Sequence, residues 1–249
     1  MGALEGRRVL ITGASSGIGE ATAEAIVREG GAVALGARRK ERLDGLASRL
    51  VDMGGTAVAI EADVGDESQA TTLVSQAADE LGGLDGLVNN AGVMLLGLVQ
   101  GADTDEWRRM IDVNLLGLLY CTHAAVPVIR DGGGGDVVNV SSVAGRQAGM
   151  GLAVYNMTKW GVTGFSEALR QECVHIGIRV TCIEPGSVDT ELAGHNTNPM
   201  IVEQIRKDRE RTGKYLEAKD IANAVVYALA QPPHVSVNEI VVRPRGQFR

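Results

Sequence analysis

Tyr155 and Lys159 lie four residues apart in a stretch with helical character, and Ser142 ends an apolar, strand-like run thirteen residues before the tyrosine. Side chains four apart on a helix stack on one face, so an ammonium group can lie beside a phenol. A neighbouring cation favours the phenolate and lowers the phenol pKa from its usual value near 10. Such a tyrosine can exchange a proton with a substrate oxygen at cellular pH. The three residues therefore predict a proton-transfer site, although a Y-x-x-x-K spacing alone also fits a solvated helix face.

A second chemical signal is the segment TGASSGIG at residues 12–19, which joins a strand pattern to a helix pattern. Its glycines at 13, 17 and 19 let the backbone turn sharply, so that a helix N-terminus can present free N–H groups to a phosphate. The spacing differs from the common dinucleotide fingerprint, and the lysine of a P-loop is missing. The segment predicts a phosphate cradle, with a tight turn that binds nothing as the alternative.

The same five residues 13–17 also satisfy G-x-S-x-G, the nucleophile elbow of α/β-hydrolases. That elbow usually follows several strands, whereas this match follows the first one, and no H-G-G-type oxyanion segment is present. A serine hydrolase is therefore the weaker interpretation. None of the four histidines has a partner at metal-ligand spacing, and we expect no metal.

Arg38 and Arg39 follow the second strand pattern, at the place where a carboxylate would bind the adenosine ribose and select NAD. A planar guanidinium matches the geometry of a phosphate, and Ser15 or Ser16 can add a hydroxyl donor. The pair predicts NADP (NADPH) as the cofactor, with a solvated basic helix start as the alternative.

Seven apolar runs alternate with helical patterns, which predicts parallel strands joined by helical crossovers. Asp103 and Glu106 form a D-x-x-E capping pattern before a helix. Asn114 falls on the apolar stripe of that helix and must find hydrogen-bond partners there. The predicted strands are residues 8–12, 32–37, 56–61, 86–90, 136–141, 179–184 and 239–243.

Polar residues or glycines follow six of these strands, and the carboxyl ends of parallel strands share one edge where ligands bind. The residues concerned are Gly13, Arg38, Asp63, Asn90, Ser142 and the pair Pro185-Gly186.

Bulk properties favour one α/β domain: the 249 residues are 45% hydrophobic and 22% charged. A net charge of -7 argues against nucleic acid as a partner. No stretch approaches the roughly 18 apolar residues of a membrane span, and Arg7 and Arg8 precede too short an apolar run for a secretory signal. Cys121, Cys173 and Cys182 are odd in number and lie in apolar patterns, so we expect buried thiols and a cytoplasmic location.

These motifs together resemble the short-chain dehydrogenase/reductase family over nearly the whole chain. The matching segments, in order, are TGASSGIG, NNAG at 89–92, the asparagine of MIDVNLLG, the segment VSS-V-A-G at 140–145, YNMTK at 155–159 and PGSVDT at 185–190. Three longer segments look more narrowly like a branch with clavulanic acid dehydrogenase and NADP-dependent hydroxy-acid dehydrogenases: NNAGVMLLG, DTDEWRRMIDVNLLGLLYCT and IEPGSVDTEL. The resemblance implies a single Rossmann-like domain over 1–249, doubly wound, with strand order 3-2-1-4-5-6-7.

The resemblance also implies a catalytic tetrad of Asn114, Ser142, Tyr155 and Lys159. Tyr155 would move the proton, Ser142 would hold the substrate oxygen, Lys159 would bind the nicotinamide ribose, and Asn114 would hold a water that links Lys159 to solvent. The residues that would contact the cofactor are Gly13, Ser15, Ser16, Gly17, Ile18, Gly19, Arg38, Arg39, Asp63, Val64, Asn90, Ala91, Gly92, Tyr155, Lys159, Pro185, Gly186, Val188 and Thr190.

The implied function is NADP(H)-dependent hydride transfer between the nicotinamide and a carbonyl or alcohol, with a non-catalytic NADP(H)-binding regulator as the alternative. An apolar substrate pocket is expected around Met94–Leu96, Met150 and Leu192. Residues 188–214 are expected to form a lid. The family also implies a homodimer or homotetramer that pairs through the helix carrying the tyrosine.

Overall fold

Residues 2–248 are described by a computed structural model, in which seven parallel strands form one sheet in the order 3-2-1-4-5-6-7. This confirms the predicted fold class. Each predicted strand is present to within one residue at either end. The strands are β1 (Arg8–Thr12), β2 (Ala32–Ala37), β3 (Thr56–Glu61), β4 (Gly86–Asn89), β5 (Gly135–Val140), β6 (Ile178–Pro185) and β7 (Glu239–Val242).

Helices cover both faces of the sheet because most of its strands are apolar on both sides. On β1, Val9 and Ile11 face one core and Leu10 faces the other. The first core is closed by the helices over residues 17–28, 40–52 and 218–229, and the second by those over 67–81, 117–131 and 153–173. The helices are α1 (Gly17–Arg28), α2 (Lys40–Asp52), α3 (Glu67–Leu81), α4 (Thr104–Ile111), α5 (Gly117–Asp131), α6 (Ala153–Cys173), α7 (Pro199–Thr212) and α8 (Ala218–Leu229).

Of the two residues in the predicted capping pattern, only Asp103 caps α4. The Asp103 carboxylate accepts a hydrogen bond from the backbone N–H of Asp105, at 2.9 Å, and so caps the helix. A capping box would also need the Glu106 side chain to reach back to the N–H of Asp103. Glu106 instead lines a cavity, so the box is absent although the helix start is right.

Between α4 and α5 the helix widens into one π-helical turn, Asp112–Leu116, which contains the buried Asn114. Single π turns re-aim a side chain relative to the helix around them and are frequent at functional sites. The turn therefore explains how a residue on an apolar stripe comes to face the end of the sheet.

The segment Thr104–Asp131 is long and apolar enough, by length and composition, to cross a membrane. The expectation that no stretch approaches this size is therefore wrong. Leu118, Cys121 and Ala125 are buried in the core that α5 shares with α3. Only one third of the most apolar window is buried, so α5 also carries an apolar outer face. A single such helix is weak support for a membrane span, since core helices meet the same criterion.

Candidate active site

At the carboxyl edge of the sheet, the loop that follows β1 contacts the loop that follows β4. The hydroxyl oxygen of Thr12 accepts hydrogen bonds from the backbone N–H groups of Asn90 and Ala91, both at 3.1 Å. The side-chain amide of Asn90 donates back to the carbonyl of Thr12 at 2.9 Å. Asn90 and Ala91 therefore hold the start of the glycine-rich loop in place.

Two glycines of that loop leave no room for a side chain. Gly13 has φ of +66°, and a Cβ there would lie 2.8 Å from the Cα of Ala91. Gly17 has φ of +60°, and its Cβ would lie 3.2 Å from Cγ2 of Thr190. Positive φ and close approach together favour glycine. The loop thus enters α1 as the phosphate cradle requires, with Ile18 packed against the core and Gly19 buried.

Arg39 is the arginine that faces the glycine-rich loop. Its guanidinium donates to the hydroxyls of Ser15, at 3.1 Å, and Ser16, at 2.6 Å. It also donates to the carboxylate of Glu191 at 2.8 Å, and so does Arg42 at 2.8 Å. Neither Arg42 nor Glu191 was predicted. Arg42 could have been found from its position three residues after Arg39 at the start of α2, whereas no local pattern marks Glu191.

Arg38 points away from this cluster. Its guanidinium lies 3.7 Å from the Asp63 carboxylate, and both side chains are largely exposed. Asp63 also accepts from the N–H of Gly65 at 3.0 Å, which closes the turn after β3. The side chain of Val64 is buried in the core, where it packs against Gly117. Arg38 and Arg39, which were predicted to bind the cofactor phosphate as a pair, therefore have different neighbours.

Tyr155 and Lys159 are both buried on α6 and lie on the same side of the helix. The Lys159 Nζ lies 5.9 Å from the centroid of the tyrosine ring. It donates a hydrogen bond to the carbonyl of Val140, at 2.9 Å, at the end of β5. The lysine is thus anchored between the helix and the sheet, with its charge beside the aromatic ring.

Ser142 lies at the start of a short 3-10 turn, Val143–Gly145, which follows β5. Its hydroxyl accepts from the N–H of Ala144 at 3.0 Å and donates to the carbonyl of Pro185 at 3.4 Å. The side-chain amide of Asn156 fixes this turn by donating to the carbonyls of Ala144 and Gln147. Asn156 was not predicted, although it directly follows the tyrosine.

Asn114 makes three hydrogen bonds to its neighbours. Its Oδ1 accepts from the N–H of Val93 at 2.8 Å, and its Nδ2 donates to the carbonyl of Val93 at 2.9 Å and to Thr158 at 3.2 Å. A Cβ on Gly92 would lie 3.4 Å from this Oδ1 and 3.8 Å from the Lys159 Nζ. The amide oxygen and the ammonium therefore approach the same point of the backbone, and all four predicted tetrad residues meet at this edge.

Burial dominates the ionisation of the tyrosine and the lysine. It raises the pKa of Tyr155 to about 12, while contact with the Ser142 hydroxyl acts in the opposite direction. Burial lowers the pKa of Lys159 to about 8, so the side chain is still mainly protonated at pH 7. The predicted lowering of the phenol pKa by Lys159 is therefore wrong for this structure, because loss of hydration raises the pKa of Tyr155 and the Ser142 hydroxyl is the group that opposes this rise.

A cavity of about 340 Å³ opens beside Tyr155, at the place where a substrate pocket was expected. Leu95 and Leu96 line it as expected, but Met94, Met150 and Leu192 are not part of the lining, and Met150 is 74% exposed. Most of the lining that was not predicted comes from residues 97–103 together with Glu106 and Trp107, and Asp103 is among them. The lining contains these two carboxylates and no lysine, arginine or histidine.

The segment after β6 forms one wall of the cavity. Asn196 is buried, and its amide oxygen accepts from the N–H of Leu96 at 2.7 Å. Its amide nitrogen donates to the carbonyl of Met94 at 3.1 Å. The expected lid thus consists of a 3-10 turn, Glu191–His195, and the helix α7, with Asn196 fastening the join to the loop after β4.

The remaining predicted cofactor contacts lie between β6 and this segment. Pro185 ends β6, Gly186 packs against the side chain of Gln247, and Val188 forms a bridge with Leu216. Thr190 caps the 3-10 turn by accepting from the N–H of Leu192 at 3.4 Å. Across residues 2–248, no group of three histidine, cysteine, aspartate or glutamate side chains is arranged to hold a metal ion.

The chain matches the profile of the short chain dehydrogenase family over residues 7–200. It is 43% identical to a glycine betaine reductase of Emericella nidulans over 99% of this chain, but it spans only 19% of that protein. It is 38% identical to an uncharacterized oxidoreductase of Staphylococcus aureus (strain USA300) over 98% of this chain and 100% of that protein.

Solved structures agree with this similarity. An alcohol dehydrogenase of the archaeon Thermococcus sibiricus, complexed with 5-hydroxy-NADP, has a TM-score of 0.87 at 29% identity and covers 98% of each chain. A 3-ketoacyl-(acyl-carrier-protein) reductase of Brucella melitensis, complexed with NADH, has a TM-score of 0.83 at 29% identity, covering 96% of this chain and 97% of that one.

Proposed function

The chain belongs to the short-chain dehydrogenase family and is an oxidoreductase of that type, and from this premise we propose that it transfers hydride between NADP(H) and a carbonyl or alcohol. One observation carries the proposal. Tyr155 is buried beside Lys159 and Ser142 at the edge of the sheet where the glycine-rich loop also ends. A proton donor and a phosphate cradle at one edge are the two parts that this reaction needs.

The proposed cofactor is a nicotinamide dinucleotide, and the site residues fit one. The glycine-rich loop would take the pyrophosphate, because Gly13 and Gly17 leave the backbone bare at the start of α1. Arg39, Ser15 and Ser16 are donors suited to a 2′-phosphate, which favours NADP(H) over NAD(H). The neighbouring solved structures hold 5-hydroxy-NADP in one case and NADH in the other. The other predicted cofactor contacts stay part of this proposal.

Each tetrad residue has a proposed role in proton movement. The bound cofactor supplies or accepts the hydride. Tyr155 donates its proton to the substrate oxygen as negative charge develops there, and the Ser142 hydroxyl holds the same oxygen. Lys159 stabilises the tyrosinate that remains and can bind a ribose hydroxyl. Asn114 fixes the backbone at Val93, and the second lone pair of its Oδ1 would hold a water that connects Lys159 to solvent.

The ionisation of Tyr155 affects both directions of the reaction. A phenol with a pKa of about 12 is fully protonated there and so is ready to act as an acid. Alcohol oxidation needs the phenolate as a base, and this form is scarce until the pH approaches the pKa. We therefore propose that the rate of alcohol oxidation rises with pH as the phenolate of Tyr155 forms.

We expect oxidation of NADPH, followed by its absorbance, with some members of a panel of small and bulky aldehydes and ketones, and slower oxidation of NADH. Replacing Arg39 with alanine should reduce the preference for NADPH by roughly 10- to 100-fold, since a charged hydrogen bond to phosphate contributes about 1.5–3 kcal/mol. Arg28→Ala, on the exposed end of α1, is the control. Equal use of both cofactors by the unmodified protein would contradict the proposed selectivity.

The alternative is a non-catalytic NADP(H)-binding regulator. It shares the cradle and the arginines, so cofactor binding does not separate the two proposals. Turnover does, because a regulator has no need for a buried acid, a buried lysine and a serine that meet at one point. Tight NADPH binding with no turnover across the whole panel would favour the regulator.

We further propose that the substrate is neutral or positively charged and carries no free carboxylate. Asp103 and Glu106 are the only charged residues in the cavity lining, which also includes Trp107. Carboxylates repel an anionic substrate, whereas an indole face attracts a cation. The relative from Emericella nidulans is named for glycine betaine, a molecule that carries both a permanent quaternary ammonium and a carboxylate, so this name supports only the cationic part of the proposed class.

A pair of isosteric aldehydes tests this substrate class. Trimethylammonioacetaldehyde and 3,3-dimethylbutanal have nearly the same shape and differ in charge. We expect kcat/KM to be roughly tenfold higher for the cation, and Glu106→Gln to reduce that ratio, consistent with one partly desolvated charge or cation–π contact. Glu80→Gln, on α3 away from this cavity, is the matched control. A higher kcat/KM for the neutral aldehyde would contradict the class and leave the proposed reaction intact.

The remaining expectations about the assembly and its setting stay predictions. Met157 and Trp160 on α6 are about half exposed, and Leu119 on α5 lies at the surface as well. This apolar area fits the expected homodimer or homotetramer, and a monomer in light scattering would contradict it. The three buried cysteines fit a cytoplasmic location. The narrower branch and the role of 188–214 as a lid also remain proposals.

A further inference from the structure

The carboxylate of Glu191 lies between two arginines of the proposed 2′-phosphate site. It accepts from Arg39 at 2.8 Å and from Arg42 at 2.8 Å and 3.1 Å. The other side of the Arg39 guanidinium is bound by the hydroxyls of Ser15 and Ser16. Two guanidinium groups around one carboxylate reproduce the donor set that a phosphate would recruit.

Glu191 also stands at a structural junction. It directly follows Thr190, whose methyl group packs against the position of Gly17 in the cradle. It is the first residue of the 3-10 turn that leads to α7. The ion pairs therefore tie the start of the proposed lid to the proposed adenosine end of the cofactor site, across about 150 residues of sequence.

The charges at this junction are fixed at physiological pH. Hydrogen bonds from Arg39 and Arg42 lower the pKa of the Glu191 carboxyl to about 2. A 2′-phosphate would bring a second anion to the same guanidinium groups. Two anions within a few ångströms repel each other, and the arginines cannot direct all their donors to both.

We propose that Glu191 determines cofactor selectivity as an internal competitor, which occupies Arg39 and Arg42 until a 2′-phosphate displaces it. Displacement releases the turn Glu191–His195, which leads directly to Asn196 in the cavity lining. The competition makes NADP(H) binding weaker than the arginines alone would allow. This inference rests on the proposed binding of NADP(H), and it assigns a further residue to that specificity.

Calorimetric titration with 2′,5′-ADP and with 5′-ADP isolates the phosphate in question, without any need for turnover. In Glu191→Gln we expect 2′,5′-ADP to bind about five- to tenfold more tightly, the size expected when two partly exposed ion pairs stop competing. Binding of 5′-ADP should change less than twofold. The gain should shrink at high salt, because screening weakens the repulsion between exposed charges.

Glu41→Gln is the matched control, since Glu41 is an exposed residue on the first turn of α2 and its loss changes the net charge equally. Similar tightening in both variants would overturn the inference, because a general charge effect would then suffice. Weaker binding of 2′,5′-ADP to Glu191→Gln would also overturn it and would mean that Glu191 orients the arginines. If the unmodified protein binds neither nucleotide, the proposed function itself fails.

Discussion

Replacing Tyr155 with phenylalanine is expected to reduce turnover by about 10²–10⁴-fold, the usual contribution of a positioned general acid. Tyr155 is 5% exposed and packs in a small cluster with Val93, Met110 and Ala144. Phenylalanine fills the same volume and removes only the hydroxyl that carries the transferred proton. The Ser142 hydroxyl keeps its bonds to Ala144 and Pro185, so no buried polar group is left without a partner.

The measurement combines steady-state rates on the best carbonyl substrate, titration with NADPH and a thermal melt. We expect the NADPH affinity and the melting temperature to stay close to those of the unmodified protein. Tyr227→Phe, on the exposed side of α8, should behave as wild type. Retained activity in Tyr155→Phe would refute the proposed proton donor. An equal loss of NADPH binding would mean that the hydroxyl acts in binding.

The phenol of Tyr155 also sets how the rates of carbonyl reduction and alcohol oxidation depend on pH. Because its pKa is raised to about 12, the acid form is present throughout the neutral range and is lost only as the pH rises through that value. The base form grows with pH over the same range. Alcohol oxidation should therefore accelerate with pH up to strongly alkaline conditions, whereas Tyr155 imposes no such rise on carbonyl reduction.

The sheet could be predicted from the sequence because its strands are short apolar runs separated by helical patterns. Periodicity and turn residues are local signals, and they located all seven strands to within one residue. The tetrad could be predicted for a related reason. Each of its residues lies in a short motif, and the parallel topology brings the ends of β4, β5 and β6 to one edge.

Contacts between segments that lie far apart in the chain could not be predicted from the sequence. Nothing near Glu191 indicates that it binds Arg39 and Arg42, since this depends on how the segment after β6 crosses the glycine-rich loop. Glu106 fits a capping box by spacing, yet its side chain lines the cavity. The direction of the Tyr155 pKa shift was also missed, because spacing reveals the neighbouring cation but not the depth of burial.

Replacing Lys159 with methionine is expected to stabilise the fold at pH 7 while it reduces turnover by at least about 10²-fold. Lys159 is 6% exposed, and it takes part in no ion pair within residues 2–248. A buried ammonium without a counter-ion is costly, and this cost lowers its pKa from 10.5 to about 8. Methionine has a similar length and no charge, so it removes the cost and keeps most of the packing.

The sign of the stability change follows from proton linkage. Between pH 8 and 10.5 the unfolded lysine binds more protons than the folded one, so the stability of the unmodified protein rises with pH across this window. This contribution to stability is lost as the pH falls across the same window, and it is absent below a pH of about 8. The full shift corresponds to about 3 kcal/mol. The carbonyl of Val140 loses a donor in the variant, so we expect a net gain of about 1–2 kcal/mol at pH 7.

Urea unfolding at pH 7 and near pH 10 measures this difference through the free energy of unfolding. The gain of Lys159→Met should shrink towards zero at the higher pH, where the lysine is neutral in the folded protein. Lys207→Met, on the exposed side of α7, removes the same charge from the surface and should change the unfolding free energy by less than about 0.5 kcal/mol. A variant that is less stable at pH 7 would show that the site attracts the ammonium, and burial would not then explain its lowered pKa. The expected result instead assigns Lys159 to the chemistry of the site, because a side chain that destabilises the fold contributes something other than stability.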